Sequence, residues 1–195
     1  MEYFFNFGFG TPTGIDIQKE HVGTIPNTAY MNNRYGKSGW SKGALLNFCI
    51  GQGEILVTPI QVFQYINLLA TKGQTLRPHF VISSKIDSVK KPNIKNKTWD
   101  RIRSDMGEVI INEKGTGRKA IIENPNIRIF GKTGTAENPH GEDHAWFIGW
   151  LEYLNNTISI VVLLENAGSG GAVATPLARD VFLEYIRKEI MVLKE

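Results

Sequence analysis

The chain has 195 residues, 42% hydrophobic and 21% charged, with a formal net charge of +3; that is one ordinary domain with a core, and too short for two comfortable ones. The balance excludes a disordered chain and a collagen-like repeat, because the 20 Gly follow no triplet period. It also excludes a disulfide scaffold, because Cys49 is the only cysteine. The longest apolar run, residues 158–164, is strand length and well short of the roughly 18 residues a membrane helix needs. Residues 1–6 have neither the basic start nor the small-residue cleavage site of a signal peptide.

In chain order, residues 7–17 alternate large apolar residues with glycine, a pattern that suits close packing and not a regular helix. Residues 21–43 read as loop, with Pro26, Asn27, Asn32, Asn33, Gly36 and Gly39. The run 45–50 is apolar, and Cys49 within it reads as core packing. Gln52, between two glycines, reads as part of a tight turn. Thr58-Pro59 marks a helix start, with Ile60, Phe63, Ile66, Leu69 and Ala70 on one face and Gly73 at the C-terminal cap. Lys85, Lys90, Lys91, Lys95, Lys97, Arg101 and Arg103 gather the positive charge into one stretch. Only Trp99 stands among them, whereas a nucleic-acid surface interleaves aromatics with cations. The stretch therefore reads as a solvated connection, with no nucleic-acid partner.

A second helix is expected over residues 98–113, with Ile102, Met106, Val109 and Ile110 on one face, ending at Gly115-Thr116-Gly117. Residues 127–130 then read as a strand running into Gly131-Lys132-Thr133-Gly134-Thr135. Residues 145–151 and 157–164 form two further strands, both nearly continuous apolar runs that need cover on both faces. A closing helix from Thr175-Pro176 is expected to bury Leu177, Val181, Phe182, Tyr185, Ile186 and Ile190. Strands on short turns followed by a helix across one face define an α+β layer. Three strands are few for this length, so the sheet either takes strands from elsewhere or leaves an edge open.

Gly131-Lys132-Thr133 is not a phosphate loop: the required upstream glycine falls on Asn126, and a strand follows where a helix should. Lys-Thr-Gly on a strand has a different logic. A strand edge presents backbone N–H and C=O groups to an extended peptide, and Gly134 lets that backbone come close. The Thr133 and Thr135 hydroxyls suit a carboxylate, and Lys132 supplies its counter-charge or relays protons. K-T-G is one of three elements of the serine acyl-transferase set, beside S-x-x-K and S-x-N. His140, Asp143 and His144 form H-x-x-D-H without a well-spaced third metal partner, so they read as a polar loop beside the cleft.

Six stretches, in order, carry a resemblance: Phe7-Gly8-Phe9-Gly10 with Thr13-Gly14-Ile15-Asp16; Ile50-Gly51-Gln52-Gly53-Glu54 with Thr58-Pro59-Ile60-Gln61; Gly115-Thr116-Gly117; Gly131 to Ala136; His144-Ala145-Trp146-Phe147; and Glu165-Asn166 with Gly168-Ser169-Gly170-Gly171. The chain resembles the C-terminal part of a class B penicillin-binding protein, closest to the penicillin-binding protein 2 subfamily. The resemblance implies the penicillin-binding transpeptidase (serine β-lactamase-like) fold, an antiparallel sheet with packed helices. It also implies D,D-transpeptidation: a serine attacks the D-Ala-D-Ala end of a peptidoglycan stem peptide, an amine resolves the acyl-enzyme, and β-lactams trap it. By that similarity Lys132 and Thr135 are catalytic, and Thr133, Gly134, Thr135 and His144 bind substrate or drug. The Thr135 N–H would be one oxyanion donor. No cofactor is implied. The family works on the outer side of the cytoplasmic membrane with a lipid-linked glycan polymerase.

The departures matter as much. Ser88-Val89-Lys90-Lys91 fits S-x-x-K literally but runs into Pro92-Asn93 in a polar stretch, and no S-x-N occurs. The serine should begin a helix with the lysine one turn on. Residues 1–195 are therefore expected to be a partial transpeptidase domain, inactive alone, whose nucleophile, anchor and remaining strands belong to a missing N-terminal part of the same domain. The alternative expectation is a catalytically inactive peptide- or partner-binding module that keeps the K-T-G cleft.

Overall fold

The structure, a computed structural model, describes residues 2–82 and 86–192. They fall into two compact units, Met1–Tyr65 with Thr75–Pro92, and Ile66–Gln74 with Asn93–Glu195.

The first unit holds α1 (Glu2–Asn6), α2 (Thr28–Tyr35) and α3 (Lys42–Cys49). Helix α2 occupies what reads as loop in the sequence, and α3 takes in the end of that loop and most of the apolar run after it. The missed signals were caps: the Asn27 side chain accepts from the Tyr30 N–H, and Ser41 from the Gly43 N–H. The apolar run at 45–50 is also not core. Phe48 is buried, but Leu45, Leu46, Ile50 and Cys49 are exposed.

Helix α4 (Pro59–Ala70) starts where Thr58-Pro59 places it. Thr58 and Gln61 cap each other, N–H to side chain in both directions, at 3.0 and 3.3 Å. Gln61 is almost fully buried, and its amide donates to the carbonyls of Thr11 and Val22, both at 2.9 Å. That pair of bonds ties the glycine-rich segment to the helix. Nearby, Tyr65 packs edge-on against Phe7, and burial pushes its phenol above the ordinary range. Asp16 receives the N–H groups of Phe80 and Val81, at 2.8 and 2.7 Å.

The second unit is built on a three-stranded antiparallel sheet in the order β1 (Ile127–Ala136), β2 (His144–Tyr153), β3 (Asn156–Leu164). This is the α+β layer expected. Its register sets Thr133 opposite Phe147, Gly134 opposite Trp146 and Ala136 opposite His144. One face carries Ile129, Phe147, Leu151 and Val162 into a core with Ala174, Ala178, Phe182 and Ile186 of the C-terminal segment. On the other, Phe130 stacks on Trp150 at 4.8 Å.

Helix α5 (Asn96–Ile111) buries Trp99, Met106 and Ile110. Its Arg103 lies over the rings of Phe130 and Trp150, at 5.4 and 5.0 Å, and pairs with Glu152 at 2.5 Å. The same guanidinium donates to the last carbonyls of α4, at Leu69 and Ala70, where the helix dipole favours a cation.

Helix α6 (Thr175–Val192) departs from its expected face. Ala178, Phe182 and Ile186 form the buried stripe, whereas Leu177 and Val181 are 41% and 49% exposed. Side chains of Ile190 and its neighbours 189–192 lie outside the described set. Thr175 does not cap by accepting an N–H. Its buried hydroxyl donates to the Gly170 carbonyl at 3.0 Å, closing a π-helical turn, Gly170–Ala174, that precedes the helix.

Two consequences are measurable. Replacing Arg103 by Ala removes the closest cation of Glu152, leaving it the Trp150 Nε1–H and the longer Arg128 contact, and takes a donor from the Leu69 and Ala70 carbonyls; it is expected to lower the unfolding free energy by about 2–3 kcal/mol. A denaturation series with Glu152→Ala and the double variant will give the coupling. For Asp16, the two N–H donors hold the carboxyl below its ordinary pKa. A depressed folded-state value stabilises above the unfolded pKa, and that contribution is lost as pH falls through the folded one. The protection of the Phe80 and Val81 amides, measured against their intrinsic exchange rates, is therefore expected to fall in acid, and Asp16→Asn to lower it at neutral pH.

Candidate active site

The site lies in the second unit, at the end of β1, one of the two outer strands of the sheet. Strand alternation puts Ile129, Gly131, Thr133 and Thr135 on one face and Phe130, Lys132 and Gly134 on the other. Lys132 is exposed, and its ammonium donates to the Thr133 carbonyl at 2.7 Å. Two hydroxyls on one face and a lysine on the other thus fall within four consecutive residues of the strand.

The β3–α6 connection lies on the hydroxyl-bearing face. Its Gly170 N–H points to the Thr135 hydroxyl at 3.4 Å. A Cβ on Gly170 would fall 2.2 Å from the carbonyl oxygens of both Gly134 and Trp146. Only glycine lets the connection settle on the strand pair there. From the other side, Thr116, in the turn after α5, places its hydroxyl 2.8 Å from that of Thr133.

His144, the first residue of β2, pairs with Ala136. Its Nδ1 accepts the Asn166 N–H at 3.0 Å, so the ring proton of the neutral form is on Nε2. Asn166 also accepts from the Asn138 amide at 2.6 Å, and Asp143 holds the N–H groups of Ala167 and Gly168 through its backbone carbonyl. The H-x-x-D-H loop is thereby tied to the loop after β3. Among the described residues no group of three or more His, Cys, Asp or Glu could hold a metal ion.

Lys132, Thr133, Gly134 and Thr135 are brought together by the strand itself, with His144 on its pairing partner. Thr116, Asn166 and Gly170 complete the surroundings. Each of these three lies in one of the family-like stretches of the sequence, but nothing local to it signals a place at the site. Ser88 sits in an isolated bridge opposite Leu76, in the first unit, and does not begin a helix.

The K-T-G strand thus lies at a sheet edge, beside the β3–α6 connection. Residues 1–183 match the family described as the penicillin binding protein transpeptidase domain. The chain belongs to that family. It is 35% identical over 210 residues to the peptidoglycan D,D-transpeptidase MrdA of Haemophilus influenzae, covering 95% of this chain and 32% of that protein. Among solved structures, Pseudomonas aeruginosa PBP2 in complex with WCK 5153 aligns with a TM-score of 0.75 and 32% identity, over 93% of this chain and 40% of that one. PBP2 of Helicobacter pylori aligns with a TM-score of 0.76 and 31% identity, over 92% and 34%. The chain thus spans about a third of the length of the curated relatives it matches.

The contact at Gly170 is testable. Gly170→Ala is expected to lift the β3–α6 connection, visible as faster amide exchange at Gly134, Trp146 and Gly170 itself. Gly168→Ala makes the control. Its φ of +77° disfavours a side chain but its Cβ would meet nothing within 4 Å, so it should cost only about 1 kcal/mol.

Proposed function

We propose that this chain is the K-T-G-bearing part of a peptidoglycan D,D-transpeptidase of the elongation type, whose attacking serine is supplied by polypeptide outside these residues. The observation that carries the reading is the paired Thr133 and Thr135 hydroxyls on one face of an edge strand, with Lys132 and Gly134 in the same segment. Lys132, Thr133 and Thr135 take the C-terminal carboxylate of a D-Ala-D-Ala stem peptide, or the equivalent group of a β-lactam. Gly134 lets that ligand lie along the strand, and the Thr135 N–H donates to the developing oxyanion. His144, its Nε2–H free of the Nδ1 bond to Asn166, contacts the substrate beyond the strand end.

The family match and the PBP2-like fold support this reading. The partners that follow are the stem peptide, β-lactams, the serine-bearing remainder of the domain and a lipid-linked glycan polymerase. The place of action is the outer face of the cytoplasmic membrane. Among the described residues no helix is long and apolar enough to cross a membrane.

A labelled penicillin tests the assignment. The isolated chain is expected to form no covalent adduct. The same chain joined to a segment carrying S-x-x-K and S-x-N is expected to be labelled, and Lys132→Ala in it to slow labelling by about 10–100-fold, the worth of a charge-assisted hydrogen bond. An adduct on the isolated chain that survives denaturation would overturn the reading and make Ser88 the candidate.

A further inference from the structure

The turn Gly115-Thr116-Gly117 stands beside β1 for reasons its sequence makes specific. A Cβ on Gly115 would fall 2.3 Å from the Val109 carbonyl oxygen, and one on Gly117 would fall 2.7 Å from Ile110 Cδ1. The Gly117 N–H also donates to the Val109 carbonyl at 3.0 Å. The two glycines therefore press the turn against the end of α5. The residue between them is delivered to the strand, with its hydroxyl 2.8 Å from the Thr133 hydroxyl. On its other side the Thr116 carbonyl lies 3.0 Å from where a Cβ of Gly171 would be. Thr116 is wedged between α5, β1 and the β3–α6 connection, yet its side chain is open to solvent.

Either hydroxyl of this pair can donate to the other. A carboxylate removes that freedom, because it only accepts. When Thr133 turns its O–H onto a carboxylate, its oxygen is left to accept, and the Thr116 O–H is the donor in reach. Two hydroxyls aligned in this sense polarise one another, so the outer donor is strengthened by the inner one.

We propose that Thr116 is a positioning residue for carboxylate recognition: it donates to the Thr133 oxygen and fixes the Thr133 hydroxyl as a donor to the ligand's C-terminal carboxylate. The inference rests on the reading that Thr133 binds that carboxylate. Thr116 does not touch the ligand, and its effect is confined to ligands that carry the charged acceptor. A Val in its place keeps the shape and loses the proton. A Ser keeps the proton.

The test uses the full chain, isotopically labelled, titrated with a peptide ending in D-alanyl-D-alanine and with the same peptide as its C-terminal amide. The Thr133 amide resonance reports binding. The unaltered chain is expected to prefer the acid. Thr116→Val is expected to weaken acid binding ~5- to 10-fold, in line with one hydrogen bond to a charged group, while leaving the amide's affinity unchanged. Thr116→Ser is expected to restore the acid preference, and in a Thr133→Val background the Thr116→Val effect should vanish. If the unaltered chain does not distinguish acid from amide, or binds neither, the carboxylate assignment itself fails and this inference with it. If it prefers the acid and Thr116→Val prefers it equally, the inference alone is overturned. An equal loss for both peptides marks Thr116 as merely structural and also overturns it.

Discussion

The K-T-G end of the sheet depends on one backbone-to-backbone approach. Gly170 rests on the carbonyls of Gly134 and Trp146, where any side chain would occupy the space of both oxygens. That approach lets the β3–α6 connection lie flat on the strand pair. With it there, the Gly170 N–H reaches Thr135, Gly171 reaches the Thr116 turn, and the Thr175 hydroxyl can close the π-helical turn onto the Gly170 carbonyl. The first turn of α6 is set by the same contact, and with it the stripe of Ala178, Phe182 and Ile186 that fills the core.

The two faces of β1 divide the labour. Towards its N-terminal end, on the Phe130 side, a stacked ring pair, a guanidinium and a carboxylate lock α5 to the sheet. At its other end, the opposite face offers hydroxyls from Thr133 and Thr135, each already met by a neighbouring group. Such contacts hold rotatable groups in one place, which lowers the ordering cost for any ligand that uses them. His144 follows the same rule: a backbone N–H fixes which ring nitrogen accepts.

Much of this was readable from residue order. The three strands, the helix start at Thr58-Pro59 and the run of K-T-G into Thr135 are local signals, because side-chain period and cap chemistry act within a few residues. Where the reading failed, the decision was non-local. Leu177 and Val181 are good core residues by type, but the π-helical turn ahead of α6 rotates them to solvent. Cys49 and Leu46 sit in an apolar run of which only Phe48 turns inward. Gln61 and Gln64 are buried polar residues on a helix whose periodicity showed only its apolar members. Helix α2 was hidden because an asparagine and a glycine that suggest a loop serve as its caps, Asn27 and Gly36.

By itself the sequence pointed to the family and placed the K-T-G tripeptide on a strand. Lysine, two threonines and a glycine at fixed spacing must share one strand edge, whatever surrounds them. Among the described residues no helix begins with a serine that has a lysine one turn on. Only the tertiary structure decided which distant residues stand against that strand. Thr116 lies 17 residues before Thr133, and Gly170 lies 35 after Thr135. Separations of that kind carry no period, and their contacts follow from how α5 and α6 pack on the sheet.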